Sequence, residues 1–205
     1  PADTTVVGQE AENVMLGWRF DAAASMQQDT LDVIADMLSN GKAGLFDLDL
    51  DQKMMYLGGG AFTYPLAEYS SLIVEGLPKE GQTLEQVRDL MLGEIEKLKR
   101  GEFSDDLLPS VINNMKLDAY KEMEDNDSRA SKFVDAFING QEWSDVVGRL
   151  DRISHITKQQ IIDFANRHLL NNYVAVYKRQ GVDSTVKKID KPQITPIPSN
   201  RDMQS

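Results

Sequence analysis

An α+β sandwich, a mostly antiparallel sheet with helices on one face, is the fold class this 205-residue sequence predicts. Three observations predict it. Residues near Asn13 and Tyr173 alternate apolar and polar with period two. From Thr83 onward the apolar residues recur with a period of 3.6. The resulting order, β-α-β-β, then several helices, then β, does not alternate strictly, which disfavours a doubly wound dinucleotide fold.

The first strand is "NVMLGWRFDA", in which Val14, Leu16, Trp18 and Phe20 share one side. Asp29 and Thr30 then precede a helix whose inward residues are Leu31, Ile34, Ala35 and Leu38, with Gly41 as its stop. Between Lys53 and Leu77, "KMMYLGGGAFTY" and "EYSSLIVEGL" are two strand-forming runs separated by Pro65, expected to pair antiparallel. The clearest helix opens at Thr83: Leu84, Val87, Leu90, Met91, Ile95 and Leu98 lie on one face, and basic Lys97, Lys99 and Arg100 precede Gly101. Ser104, Asp105 and Asp106 cap a second helix through Met123, and further helices are expected over 127–138 and 141–150. Thr157 opens "TKQQIIDFANRHLL", with Ile161, Ile162, Phe164, Ala165 and Leu169 inward, and "NYVAVYKR" closes the sheet. The predicted organisation is therefore a lead-in over 1–12, one domain over 13–180, and a linker over 181–205 in which Pro192, Pro196 and Pro198 favour an extended path.

Composition narrows the partners. The net charge of −11, from 33 acidic against 22 basic residues, repels phosphate backbones and anionic lipid, so neither nucleic acid nor membrane insertion is expected. Cysteine is absent, which removes disulfides, thiolate zinc sites and a cysteine nucleophile. The chain starts with Pro1, so we expect a fragment or processed product whose targeting segment lies elsewhere, in bacterial cytoplasm or periplasm.

The motifs that would carry hydrolysis do not occur. Neither HxxEH nor HExxH is present, and the two histidines, His155 and His168, flank a predicted helix as cap or surface residues. "DLDLDQK" places Asp47, Asp49 and Asp51 like the start of a calcium loop, but Gln52 and Gly58 stand where that loop needs glycine and a bidentate carboxylate; a solvated acidic turn is expected. Gly58, Gly59 and Gly60 suit a bulge or a close backbone approach better than a phosphate cradle, because a strand follows. No GxSxG elbow exists. Glu122, Glu124, Asp125 and Asp127 read as the wet face and end of a helix, and Trp18 and Trp143 as core or interface anchors. No catalytic, cofactor-binding or metal-ligating residue is assigned, and no cofactor is expected in this chain.

Four strings, in this order and spacing, carry a family resemblance: "VMLGWRF", "IEKLKRGEFSDDLL", "ISHITKQQIIDFANRHLLNNYVAVYKR" and "KPQITPIPSNRDMQS". Over 13–178 the chain resembles the second, inactive peptidase-like domain of the pitrilysin/insulinase zinc peptidases, relatives of the mitochondrial processing peptidases. That resemblance implies a bacterial parent zinc metalloendopeptidase whose zinc is held by a preceding HxxEH domain. Substrate-contacting relatives carry an arginine about seven residues before a tyrosine. Here Tyr56 matches the tyrosine but Asp49 stands at the arginine position, so the clamp does not carry over. The resemblance thus implies domain two of four, partnered by the catalytic domain and the C-terminal half of the same polypeptide, walling a chamber for peptide substrate, with a homodimer as the substitute for an isolated copy. Two alternatives stand beside it: a stand-alone peptide-binding or assembly module of the same fold, and an independent metalloenzyme using His155 or His168.

Overall fold

A computed structural model describes residues 1–182 and Pro192; the predicted linker over 181–205 falls almost wholly outside the described residues. Among these, the strands are β1 (Ala2–Gly8), β2 (Asn13–Phe20), β3 (Gly58–Pro65), β4 (Ser70–Leu77) and β5 (Val174–Gln180). The helices are α1 (Gln27–Leu38), α2 (Leu84–Arg100), α3 (Leu107–Glu124), α4 (Asn126–Ile138), α5 (Trp143–Ser154) and α6 (Lys158–His168). The sheet order is β1-β5-β2-β4-β3. Every pairing is antiparallel except β1 with β5, so the predicted α+β class holds.

Period-two burial builds the core. Val14, Leu16, Trp18 and Phe20 of β2 join Leu72 and Val74 of β4 and Ala175 and Tyr177 of β5 on one face, each at most 6% exposed. Onto this face α1 and α2 pack directly, and α6 lies against both. Trp18 is the tie between layers: its indole N–H donates to the Leu170 carbonyl at 3.0 Å, and its ring leans on Tyr173 at 5.2 Å. Leaving that N–H unpaired inside would forfeit much of what burying the indole contributes.

The helix ends follow their sequence signals closely at two places. Thr83 accepts from the Gln86 N–H at 3.1 Å while Gln86 Oε1 accepts from the Thr83 N–H at 2.9 Å, a reciprocal capping box opening α2. Gly101 ends α2 at φ 70°, and a Cβ there would also strike Ile162 Cδ1 at 2.7 Å. Thr157 and Gln160 repeat the box at α6.

Three expectations need correction. The sheet gains an edge strand, β1, from residues whose alternation is too weak to mark them, because its register comes from parallel pairing with β5 rather than from burying a face. The strand expected from Lys53 begins only at Gly58; 52–57 instead turn, with Met54 at φ 51°. The acidic run is solvated only in part, at Asp49 and Asp51. Asp47–Asp51 forms a π-helical turn, and the buried Asp47 carboxylate accepts backbone N–H bonds from Asn40 (3.0 Å), Lys42 (3.0 Å) and Gly44 (2.8 Å) plus the Ser39 hydroxyl (3.2 Å). Asp49 turns away to Lys53 and Lys97, whose ammonium groups hold its carboxyl down to about 2.

Asp47 thus organises the 39–44 loop in place of helix. Asp47→Ala should lower the unfolding free energy by about 2–4 kcal/mol, because several backbone N–H groups lose their acceptor at once. Asp47→Asn, which keeps one oxygen, should lose less; denaturant titration of the two variants checks the order.

Candidate functional site: an uncovered sheet face

The alternation that turns Val14, Leu16, Trp18 and Phe20 toward the helices turns Asn13, Met15, Gly17 and Arg19 the other way. Strand register extends this second face across the sheet. One row runs Phe62, Ile73, Gly17, Val174, and the next runs Gly60, Glu75, Met15, Val176. Tyr64, Ser71 and Arg19 form the row on the other side. Phe62, Tyr64 and Val174 are exposed, and Met15, Ile73 and Val176 are only partly buried. Among the described residues nothing covers this face.

Gly17 shapes it. A Cβ at this position would meet no atom within 4 Å, so packing inside this chain does not require glycine there. The residue leaves a dent between Ile73 and Val174, as expected where another molecule's surface comes close to a strand. Gly59 is different: a Cβ there would lie 2.2 Å from the Glu75 carbonyl and 2.7 Å from the Tyr56 ring, so the close-approach reading of the glycine run holds, with unbroken β3–β4 register and no bulge. Polar groups on the face satisfy one another. Asn13 Nδ2 donates to Glu75 Oε1 at 3.0 Å, Lys178 Nζ donates to the Ala11 carbonyl at 2.7 Å, and the Arg19 guanidinium lies 3.5 Å from the Tyr69 ring centre.

A second feature, a cleft of about 190 Å³ between the start of α1 and α5, is lined by Asp29, Asp32, Asp145, Arg149 and Arg152. Arg152 donates to Asp29 at 2.6 Å, and Arg149 donates to Asp32 at 2.9 Å. Asp32 also accepts from Thr63 and Gln28, both at 2.6 Å. The guanidinium groups are therefore engaged by this chain's own carboxylates, and the lattice fastens α5 to α1. One turn further along α1, burial pushes the Asp36 carboxyl up to about 6, with the Asp32 and Asp118 charges adding to it and Arg149 opposing.

The residues weighed from sequence are dispersed. His155 follows α5, its Nδ1 2.8 Å from the Asp151 carbonyl. His168 ends α6, and its ring packs on Phe164 at 4.5 Å and Phe20 at 5.8 Å; burial, then Arg167, lowers its pKa. With α6 spanning 11 residues, about 16 Å of helix separates the two imidazoles. Among the described residues no three His, Asp or Glu side chains are grouped to hold a metal ion. Tyr56 is buried against Gly59 and Gly76, facing the core and not the open sheet. Asp125 caps α4 by accepting from the Ser128 N–H at 2.7 Å, and Glu122 pairs with Lys132 at 3.0 Å. The sheet-face residues were missed because period-two alternation marks an inward side and leaves the outward side undefined.

Compared as a sequence, the chain matches no family model and no curated protein. Compared as a structure, it superposes on a protease from Helicobacter pylori with a TM-score of 0.79 at 20% identity, over 87% of this chain and 44% of that one. It also superposes on a peptidase M16 inactive domain from Pseudomonas fluorescens (TM-score 0.75, 11% identity, 88% and 44% covered). A third similar structure is the inactive peptidase domain of a proposed zinc protease from Bordetella parapertussis (TM-score 0.71, 17% identity, 93% and 97% covered). The chain shares the fold of these three structures, two of which are inactive peptidase domains. The chain spans less than half the length of the H. pylori protease. No helix among the described residues is long and apolar enough to cross a membrane.

The charge cluster behind α1 generates a pH dependence. Asp36 has a folded pKa above its ordinary value, so the folded state holds that proton more tightly; the stabilisation is present below about pH 4 and is lost as pH rises through about 6. Asp36→Asn should therefore raise stability by about 1–2 kcal/mol at pH 7.5, allowing for partial solvent screening, and by little at pH 4. Thermal melts of both proteins across this range check the sign.

Proposed function

We propose that this domain is a non-catalytic structural module of a zinc-protease polypeptide, with its open sheet face packing on the catalytic domain and lining the peptide-binding chamber. The observation that carries the reading is the sheet face itself: a row of apolar side chains, dented at Gly17, on a domain whose fold is that of inactive M16 peptidase domains. Exposed sheets with this apolar content are usually buried by a neighbour. The histidines stand at opposite ends of α6, and the chain has no HxxEH string, so the reading leaves zinc and bond cleavage to another domain. The fold's appearance within a longer protease supports placing that domain on the same polypeptide.

Two measurements test this. The domain encoded immediately upstream, added in trans, should bind the chain and raise its thermal midpoint, because a partner that binds only the folded state stabilises it. Gly17→Val should keep or improve the stability of the free chain, since valine suits a strand and has room, yet weaken that association by about tenfold or more. Equal binding by the variant would overturn the assignment of this face. The isolated chain, with zinc supplied, should cleave no peptide, and His155→Ala and His168→Ala should leave no catalytic signature; zinc-dependent cleavage abolished by either substitution refutes the non-catalytic reading.

A further inference from the structure

Helix α4 is mounted the wrong way round for a helix that packs on its own domain. Its inward stripe is Ser128, Lys132 and Ala136, spaced four apart, and of the whole helix only Ala136 is buried. Its outward side carries Phe133, Val134, Phe137 and Ile138, with Phe137 at 87% exposure and Ile138 at 61%. An amphipathic helix turns its apolar stripe to whatever excludes water, and among the described residues nothing covers the stripe of α4. The helix packs on α3 and α5, on the helical side, away from the open sheet face.

The stripe continues onto α5. Phe133 stacks on Trp143 with ring centres 4.1 Å apart and planes 19° apart, and Val147, one turn along α5, is exposed as well. Asp127 and Asp135 lie on α4 itself, Glu142 stands at the N-cap of α5 and Glu124 ends α3, and none of the four forms an ion pair among the described residues. Of the nearby cations, Lys132 pairs with Glu122 at 3.0 Å, while the Arg129 guanidinium bonds the neutral Asn126 amide and keeps its charge against these four acids. The band is therefore aromatic at its centre and acidic at its rim.

We propose that the α4–α5 band is a docking site for a basic amphipathic helix, whose apolar stripe covers Phe133, Phe137 and Trp143 and whose lysines or arginines meet the acidic rim. Two helices side by side offer a groove for a third. The 13 residues of α4 span about 20 Å, which matches about four turns of partner helix. A second copy of this chain fits less well, because at a net charge of −11 it would bring acidic rim against acidic rim. The site is separate from the sheet face and stands whether or not that face packs on a catalytic domain.

The probe is a labelled 15-residue leucine/lysine amphipathic peptide, with a leucine/glutamate peptide of the same pattern as its control. Because Trp18 is buried and Trp143 is exposed, a blue shift of tryptophan emission on binding reports the band. The leucine/lysine peptide should bind with an affinity that falls as salt rises, at least tenfold more tightly than the control. Phe137→Asp and, separately, Ile138→Lys should each weaken binding at least tenfold while leaving the circular dichroism and thermal midpoint of the chain unchanged, whereas Gly17→Val should bind the peptide normally. The proposal is overturned if both variants unfold the chain, since the band would then be internal packing, or if they bind as before. Equal binding of the acidic peptide, preference for neutral phosphatidylcholine vesicles over the peptide, or self-association abolished by Phe137→Asp would also overturn it.

Discussion

A five-stranded sheet covered, among the described residues, by helices on one face only is the constraint from which the other properties of this domain descend. Side chains of a strand alternate, so each residue that enters the core commits its neighbours to the opposite face. Val14, Leu16, Trp18 and Phe20 define the inside of β2, and with that Met15, Gly17 and Arg19 are placed outside. Slipping the register by one residue would bury Arg19 and expose Trp18, so the same pattern that stabilises the core specifies the outer surface. Trp18 adds a second restraint, because its bond to the Leu170 carbonyl holds the chain entering β5 over the middle of the sheet.

Much of this was legible in the residues. Thr83, Gln86 and Gly101 announce both ends of α2, and each acts through its own local geometry, which a sequence carries completely. The inward residues of β2 and α2 were equally plain, since burial and periodicity agree there. The strand β1 was not, because Ala2–Gly8 is held at the sheet edge by backbone pairing with β5 and hides no face that a hydrophobic pattern could display. Asp47 was misjudged for a related reason. Its partners, the N–H groups of Asn40, Lys42 and Gly44, precede it by only a few residues, but a buried carboxylate and a solvated one look identical in sequence when no partner side chain betrays the difference.

The candidate surfaces were less legible than the fold, and α4 shows why. Its sequence has the periodicity of a helix, and the usual inference would turn Phe133 and Phe137 inward. Packing against α3 and α5 instead admits Ala136 and the stem of Lys132, which pairs with Glu122 of α3, and leaves the aromatic side out. Periodicity locates an apolar stripe without saying which neighbour it faces. A stripe that meets a partner outside the chain is written in the same letters as one that meets the core.

The distribution of charge separates the two open surfaces. On α1, Asp29 and Asp32 engage Arg152 and Arg149, and on the π-helical turn Asp49 engages two lysines. On the sheet face, Glu75 is answered by Asn13 and Arg19 by the Tyr69 ring, so what remains to be covered there is mostly apolar area. A contact of that kind depends little on ionic strength and suits permanent packing within one polypeptide. The band on α4 and α5 carries acids with no ion-pair partner among the described residues, and a contact made there gains from opposite charge and weakens as salt screens it. Two surfaces on opposite sides of one domain, one mostly apolar with its polar groups bonded internally and the other acidic at its edge, are physically suited to a constant neighbour and an exchangeable one.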